Sequence, residues 1–188
     1  TACPPKPLPG ADMMMDGSIH EKYEPVKRIG QGSYGSVYLA KRKDGVGGYV
    51  VMKRVFVVEL NSKEHLQAQN EVKMLQKLKH VNIVAYKDSF VHDGHLCIVM
   101  SFCCGGDLQA QVKAAKGAGL YFTKEQILDW TSQVLAALRY LHEDKCVLHR
   151  DLKSQNVFLS PERCLALAAW DDLAAAASLL AENTQNTL

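Results

Sequence analysis

His149-Arg150-Asp151-Leu152-Lys153-Ser154-Gln155-Asn156 is the stretch on which the reading of this chain turns. An Asp, a Lys two residues on and an Asn five residues on bring three groups into one short loop. They are a proton acceptor for a hydroxyl group, a positive charge and a neutral oxygen ligand for a hard cation. Phosphoryl transfer needs those roles close together.

Working outward from this run, Val157-Phe158-Leu159 reads as a short strand after it. Before it, Thr123-Lys124-Glu125-Gln126 is a capping box whose helix extends to about Glu143. Ile127, Val134, Leu138 and Leu141 form an apolar stripe on that helix, widened by Leu128, Trp130 and Leu135, so it calls for neighbours on more than one side. Further upstream, Tyr23–Ile29 and Ser36–Ala40 read as strands joined by Gly30-Gln31-Gly32-Ser33-Tyr34-Gly35. The same glycine spacing occurs in dinucleotide-binding folds, but there a helix follows the last glycine, and Val37-Tyr38-Leu39-Ala40 is strand. Tyr49–Val55 is a third strand carrying one lysine, Lys53. A lone Lys in an apolar strand ordinarily takes the solvent face. Asn61–Leu78 has helical periodicity, with Asn61 as N-cap, and puts Glu71 in line with Leu75 and Leu78. A carboxylate on that side needs a cation, and Lys53 is the candidate; the alternative is local pairing with Lys73 or Lys77. Ile83–Phe90 and His95–Met100 complete an antiparallel sheet of five strands, and Ser101–Leu108 reads as a linker.

Composition bounds the rest. A chain of 188 residues that is 47% hydrophobic and 22% charged has a globular balance. Lys plus Arg number 22 against 20 for Asp plus Glu, too even for a nucleic-acid footprint. The six cysteines show no Cys-x-x-Cys spacing, and reduced thiols are expected. No apolar run reaches membrane-span length and no leader pattern opens the chain, so a cytoplasmic address is expected, with nuclear or cytoskeletal association compatible. Residues 1–22 read as a flexible tail; Met13-Met14-Met15 within it would suit a translation start.

Taken in order, these motifs resemble the eukaryotic protein kinases. Leu96-Cys97-Ile98-Val99-Met100, Gly105-Gly106-Asp107-Leu108 and the run from His149 to Leu159 are similar to the NIMA-related serine/threonine kinases in particular. The resemblance covers about Tyr23 to Ser160. It implies an α+β protein-kinase-like fold: a five-stranded antiparallel small lobe with one helix over 23–100, a hinge over 101–108, and a partial, mainly helical large lobe over 109–160.

The resemblance further implies ATP and Mg2+ as cofactors and a protein with Ser or Thr hydroxyls as substrate. The backbone of Gly30, Gly32 and Gly35 would close over the triphosphate. Ile29, Val37 and Val51 would cover the adenine; Met100 would be the gatekeeper, with Ser101 and Cys103 on the adenine edge and Asp107 near the ribose. Lys53, held by Glu71, would contact the α- and β-phosphates. Asp151 would accept the hydroxyl proton, Lys153 would offset phosphoryl charge and Asn156 would bind a magnesium ion. His149 is expected to brace the loop as a packed residue. Arg150 resembles that of kinases switched on by activation-loop phosphorylation.

The pattern departs from the family after Ser160. No Asp-Phe-Gly occurs in the 32 residues after Asn156, and the family's metal-binding Asp would fall on Ala169. Asp171 and Asp172 come two and three residues later. The alanine- and leucine-rich composition of Cys164–Ala169 and Leu173–Ala181 favours helix, so 161–188 is expected to be a divergent tail. Leaving about four large apolar side chains of the long helix in water would forfeit roughly 6 to 12 kcal/mol. That is comparable with a whole domain's stability of about 5 to 15 kcal/mol. Unless the tail folds over Trp130, Val134 and Leu138, a partner is needed to cover them. Three readings stay open: an active kinase, a truncated isoform or pseudokinase that binds nucleotide or a partner, and a splice or reading-frame product beyond Pro161.

Overall fold

The computed structural model describes residues 22–32, 35–45, 48–56, 62–160 and 164–169, the side chains of residue 32, residues 62–68 and residue 71 not among them. Two compact units emerge. Among the described residues, one takes 22–76 together with Tyr86–Phe102; the other takes Lys77–Ala85 and 103–169.

The first unit is a five-stranded antiparallel sheet: β1 (Tyr23–Gly32), β2 (Gly35–Arg42), β3 (Tyr49–Phe56), β4 (Tyr86–His92) and β5 (His95–Ser101), in the order β1-β2-β3-β5-β4. The helix α1 (Ser62–Lys77) belongs to the same stretch. Asn61, the expected N-cap, lies outside the described residues. Strand alternation divides the sheet. Tyr23, Ala40, Val50, Met52, Cys97 and Val99 pack together as one core cluster. Val51 and Lys53 therefore point to the opposite face. A two-residue turn sets the register of β4 on β5: Asp93 and Gly94 both adopt positive φ, the backbone of a tight hairpin, and His92 faces His95 across it.

The second unit holds α2 (Leu108–Gly117), α3 (Lys124–Arg139), a wide π turn at Tyr140–Asp144, a 3-10 turn at Ser154–Asn156, and the hairpin of β6 (Val157–Leu159) with β7 (Leu165–Leu167). Thr123 caps α3 as expected, its hydroxyl accepting from the Gln126 amide at 3.2 Å. The α-helix ends at Arg139 instead of Glu143. There the Tyr140 hydroxyl accepts from the Lys79 amide at 2.8 Å and the ring stacks on His80.

Three expectations are corrected. The fourth strand starts at Tyr86, not Ile83, because Ile83 bridges Leu167 and the Val84 amide donates to the Leu167 carbonyl, committing that segment to the second unit. Cys164–Ala169 is not helical: Leu165–Leu167 is a buried strand paired with β6, tertiary pairing overriding composition. Trp130 is not left in water but is 8% exposed, its ring edge-to-face with Phe122 at 4.9 Å. The expected helix over Leu173–Ala181 lies outside the described residues. Among the described residues, no helix is long and apolar enough to cross a membrane.

Candidate functional site

In the first unit, sheet register assembles rows of side chains. Val37 and Ile98 stand opposite Lys53 on its two sides, and Leu39 and Met100 stand opposite Val51. Lys53 is thus a half-buried cation among apolar neighbours on the face turned away from the core cluster. This is not the solvent face that a lone strand lysine ordinarily takes. Met100 is buried and Ser101 half-buried at the end of β5. Gly30 pairs with Val37 and Gly32 with Gly35, while Ile29 falls in the irregularity between Arg28 and Gly30 and is largely exposed. Gly35 has a steric reason of its own: a Cβ there would lie 1.9 Å from the Arg54 carbonyl oxygen on β3. Glu71 is on α1, one turn before buried Leu75, and its side chain lies outside the described residues.

In the second unit, the run from His149 to Asn156 is drawn together by Asn156. This residue is 3% exposed, and its amide nitrogen donates at 2.8 Å to both the backbone carbonyl and the carboxylate Oδ2 of Asp151. The Lys153 ammonium donates to the same carboxylate oxygen. That hydrogen bond, with help from Asn156 and the charge of Lys153, outweighs desolvation and holds the Asp151 carboxyl below the usual carboxylate range. Arg150 adopts left-handed φ of 63°, an uncommon conformation for a non-glycine residue. His149 is half-buried and braces the loop: its Nε2 donates to the Ala168 carbonyl at 2.7 Å. Asp107 is the N-cap of α2, its carboxylate accepting from the Ala110 amide at 2.8 Å. Cys103 is half-buried, and its backbone carbonyl accepts from the Gly106 amide.

A pair of magnesium ions on nucleotide phosphates needs hard oxygen donors that include carboxylate. Asn156 offers its Oδ1, since its nitrogen is committed to Asp151. Ala169 offers a methyl group where the second carboxylate is expected. Among the described residues, no group of three or more His, Cys, Asp or Glu is placed to hold a metal. The described residues therefore do not fit the two-cation arrangement.

Sequence reasoning missed the latch behind this loop. Asn82 Nδ2 donates to the Leu165 carbonyl at 2.8 Å and to Gln133 Oε1 at 3.1 Å, and Gln133 Oε1 also accepts from the Leu165 amide at 2.7 Å. A signal existed: Gln133 lies three residues after Trp130 and four before Ala137, both buried, so it sits on the packed side of α3. What it would bond could not be read, because β7 was not recognised as a strand.

The sequence pattern of the protein kinase domain matches residues 23–179, beyond the Ser160 at which the motif resemblance ends. Among relatives, the serine/threonine-protein kinase Nek1 of Mus musculus is 43% identical over 147 residues, which is 78% of this chain and 12% of Nek1. The probable serine/threonine-protein kinase nek3 of Dictyostelium discoideum is 43% identical over 140 residues, 74% of this chain and 12% of that protein. The serine/threonine-protein kinase Nek4 of Mus musculus is 48% identical over 134 residues, 70% of this chain and 16% of Nek4. The chain thus spans about an eighth to a sixth of the length of these relatives. With its five-stranded antiparallel sheet, its run from His149 to Asn156 and this match, the chain belongs to the protein kinase domain family, and its likeness within that family is to the Nek, or NIMA-related, serine/threonine kinases.

Proposed function

We propose that this chain carries the nucleotide-facing sheet and catalytic loop of a serine/threonine protein kinase, whose reaction moves the γ-phosphoryl group of magnesium ATP to a Ser or Thr hydroxyl of a protein. The observation that carries the reading is the Asp151 carboxylate, fixed by Asn156 and Lys153, whose hydrogen bonds hold its carboxyl below the usual carboxylate range. An ionised, oriented carboxylate is what a hydroxyl nucleophile needs as proton acceptor. Lys153 sits beside it as the charge that would meet the transferring group. Lys53 among Val37, Val51 and Met100 supports a phosphate contact bordered by an apolar surface for adenine, to which Ile29, Ser101 and the backbone of Gly30, Gly32 and Gly35 in the same unit would contribute. Glu71 would hold Lys53.

A second reading, a non-catalytic nucleotide- or partner-binding form, is favoured by Ala169. One assay separates the two: transfer of γ-labelled phosphate to a Ser/Thr peptide mixture, with Asp151→Asn in parallel. The kinase reading expects transfer that falls about 10²- to 10⁴-fold in the variant. Transfer no greater than that of Asp151→Asn, with nucleotide still bound, selects the second reading.

A further inference from the structure

We propose that this chain binds ATP without needing a divalent cation, and that position 169 is the reason. The inference rests on the nucleotide reading above and deepens it.

The argument begins with what β7 delivers to the loop. The Ala168 amide donates to the Asn156 carbonyl at 2.8 Å, and the Ala168 carbonyl accepts from His149 Nε2 at 2.7 Å. Both backbone groups of Ala168 are thereby registered on the catalytic loop, and the next side chain is the half-buried methyl of Ala169. The carboxylates at 171 and 172 cannot take its place by sliding. A two-residue shift of β7 would bring Asp171 to that register and re-form the backbone bonds through other residues, but it would force the indole of Trp170 into the place of Ala168, which is 1% exposed, and leave Ala169 in the place of buried Leu167. A three-residue shift for Asp172 would in addition turn buried Leu165 and Leu167 to the other face.

The remaining oxygens do not make up the loss. Magnesium demands near-octahedral oxygen ligation and is bound through carboxylates together with phosphates. Asp151 Oδ2 already accepts from the Lys153 ammonium and from Asn156 Nδ2, so a cation there would have to displace a paired ammonium. Asn156 Oδ1 is neutral. Phosphate charge would instead be met by lysine and backbone N–H donors, which need no metal to bind a polyanion.

The test is the affinity of the full chain for N-methylanthraniloyl-ATP, titrated by fluorescence in excess Mg2+ and in excess EDTA. The proposal expects Kd values within about threefold of each other in the two buffers, a difference under 1 kcal/mol. It expects Ala169→Asp to gain about tenfold or more in Mg2+ alone. Ala169→Asn, nearly isosteric with that variant and uncharged, is expected to stay indifferent to EDTA. Binding by the unmodified chain that weakens about tenfold or more in EDTA overturns the proposal and leaves the kinase reading standing. No binding in either buffer overturns both. The unmodified chain decides the matter even if Ala169→Asp fails to fold.

Discussion

Asp151 concentrates the chemistry of the loop in one oxygen, which makes its titration a direct probe of the site. Its carboxyl is depressed in the folded chain. The stabilisation linked to it is present above the unfolded value, about 3.9, and is lost as pH falls through the lower folded value. Lys153→Met removes the largest contributor, so the Asp151 carboxyl should titrate at higher pH in that variant. An NMR titration of the side-chain carboxyl checks this, and an unchanged midpoint would show that Lys153 is not the cause. Cysteines offer a contrast of the same kind. Burial pushes the Cys97 thiol up to about 11, whereas Cys146 is exposed. Alkylation at pH 8 followed by peptide mass mapping should therefore modify Cys146 and leave Cys97 intact in the folded chain. Early modification of Cys97 would mean that the sheet core opens readily. Gly105 is constrained by space: a Cβ there would lie 2.6 Å from Leu159 Cβ and 2.8 Å from the Leu159 carbonyl oxygen. Gly105→Ala should cost about 1 to 3 kcal/mol, read as a lowered melting temperature.

Among the elements, β7 carries the most information per residue. Three residues long, it pairs with β6, accepts and donates through Asn82 and Gln133, and sets which side chain follows Ala168. A strand so short has little stability from its own ladder, so the side-chain latch should matter. Gln133→Ala leaves the Leu165 amide and one Asn82 donor without their acceptor, at a cost of about 1 to 3 kcal/mol. Hydrogen exchange should show the Leu165 amide unprotected in that variant while the sheet of the first unit keeps its protection. Equal loss across both units would instead indicate global unfolding. The latch was only half visible beforehand. Helical spacing put Gln133 among buried residues, but alanine and leucine at 164–169 pointed towards helix. Only the pairing partner, distant in sequence, decides for strand.

At the scale of the whole molecule, α3 leaves an apolar face open. Ile127, Leu128 and Leu135 are 50%, 58% and 59% exposed, while Trp130, Ala137 and Leu141 are buried. Part of the apolar stripe is thus satisfied within the second unit and part is not. The chain should bind an apolar fluorescent dye at room temperature, and Leu128→Glu with Leu135→Glu should reduce the emission without lowering the melting temperature. Weak binding by the unmodified chain would mean that this face is covered in solution.

Sequence alone determined the family and the order of its parts: strand periodicity, turn glycines, the Lys53 strand and the run from His149 to Asn156 are local patterns whose spacing carries chemistry. It also determined that position 169 holds no carboxylate. Tertiary structure decided what depends on contacts between distant residues. It buried Trp130 under Phe122, assigned Ile83 to β7 instead of β4, and made a strand of Leu165–Leu167. It then held Ala168 between His149 and Asn156, which fixes the register at which Ala169 follows. Propensity acts over a few residues, whereas register is fixed by hydrogen bonds that close only when the chain has folded.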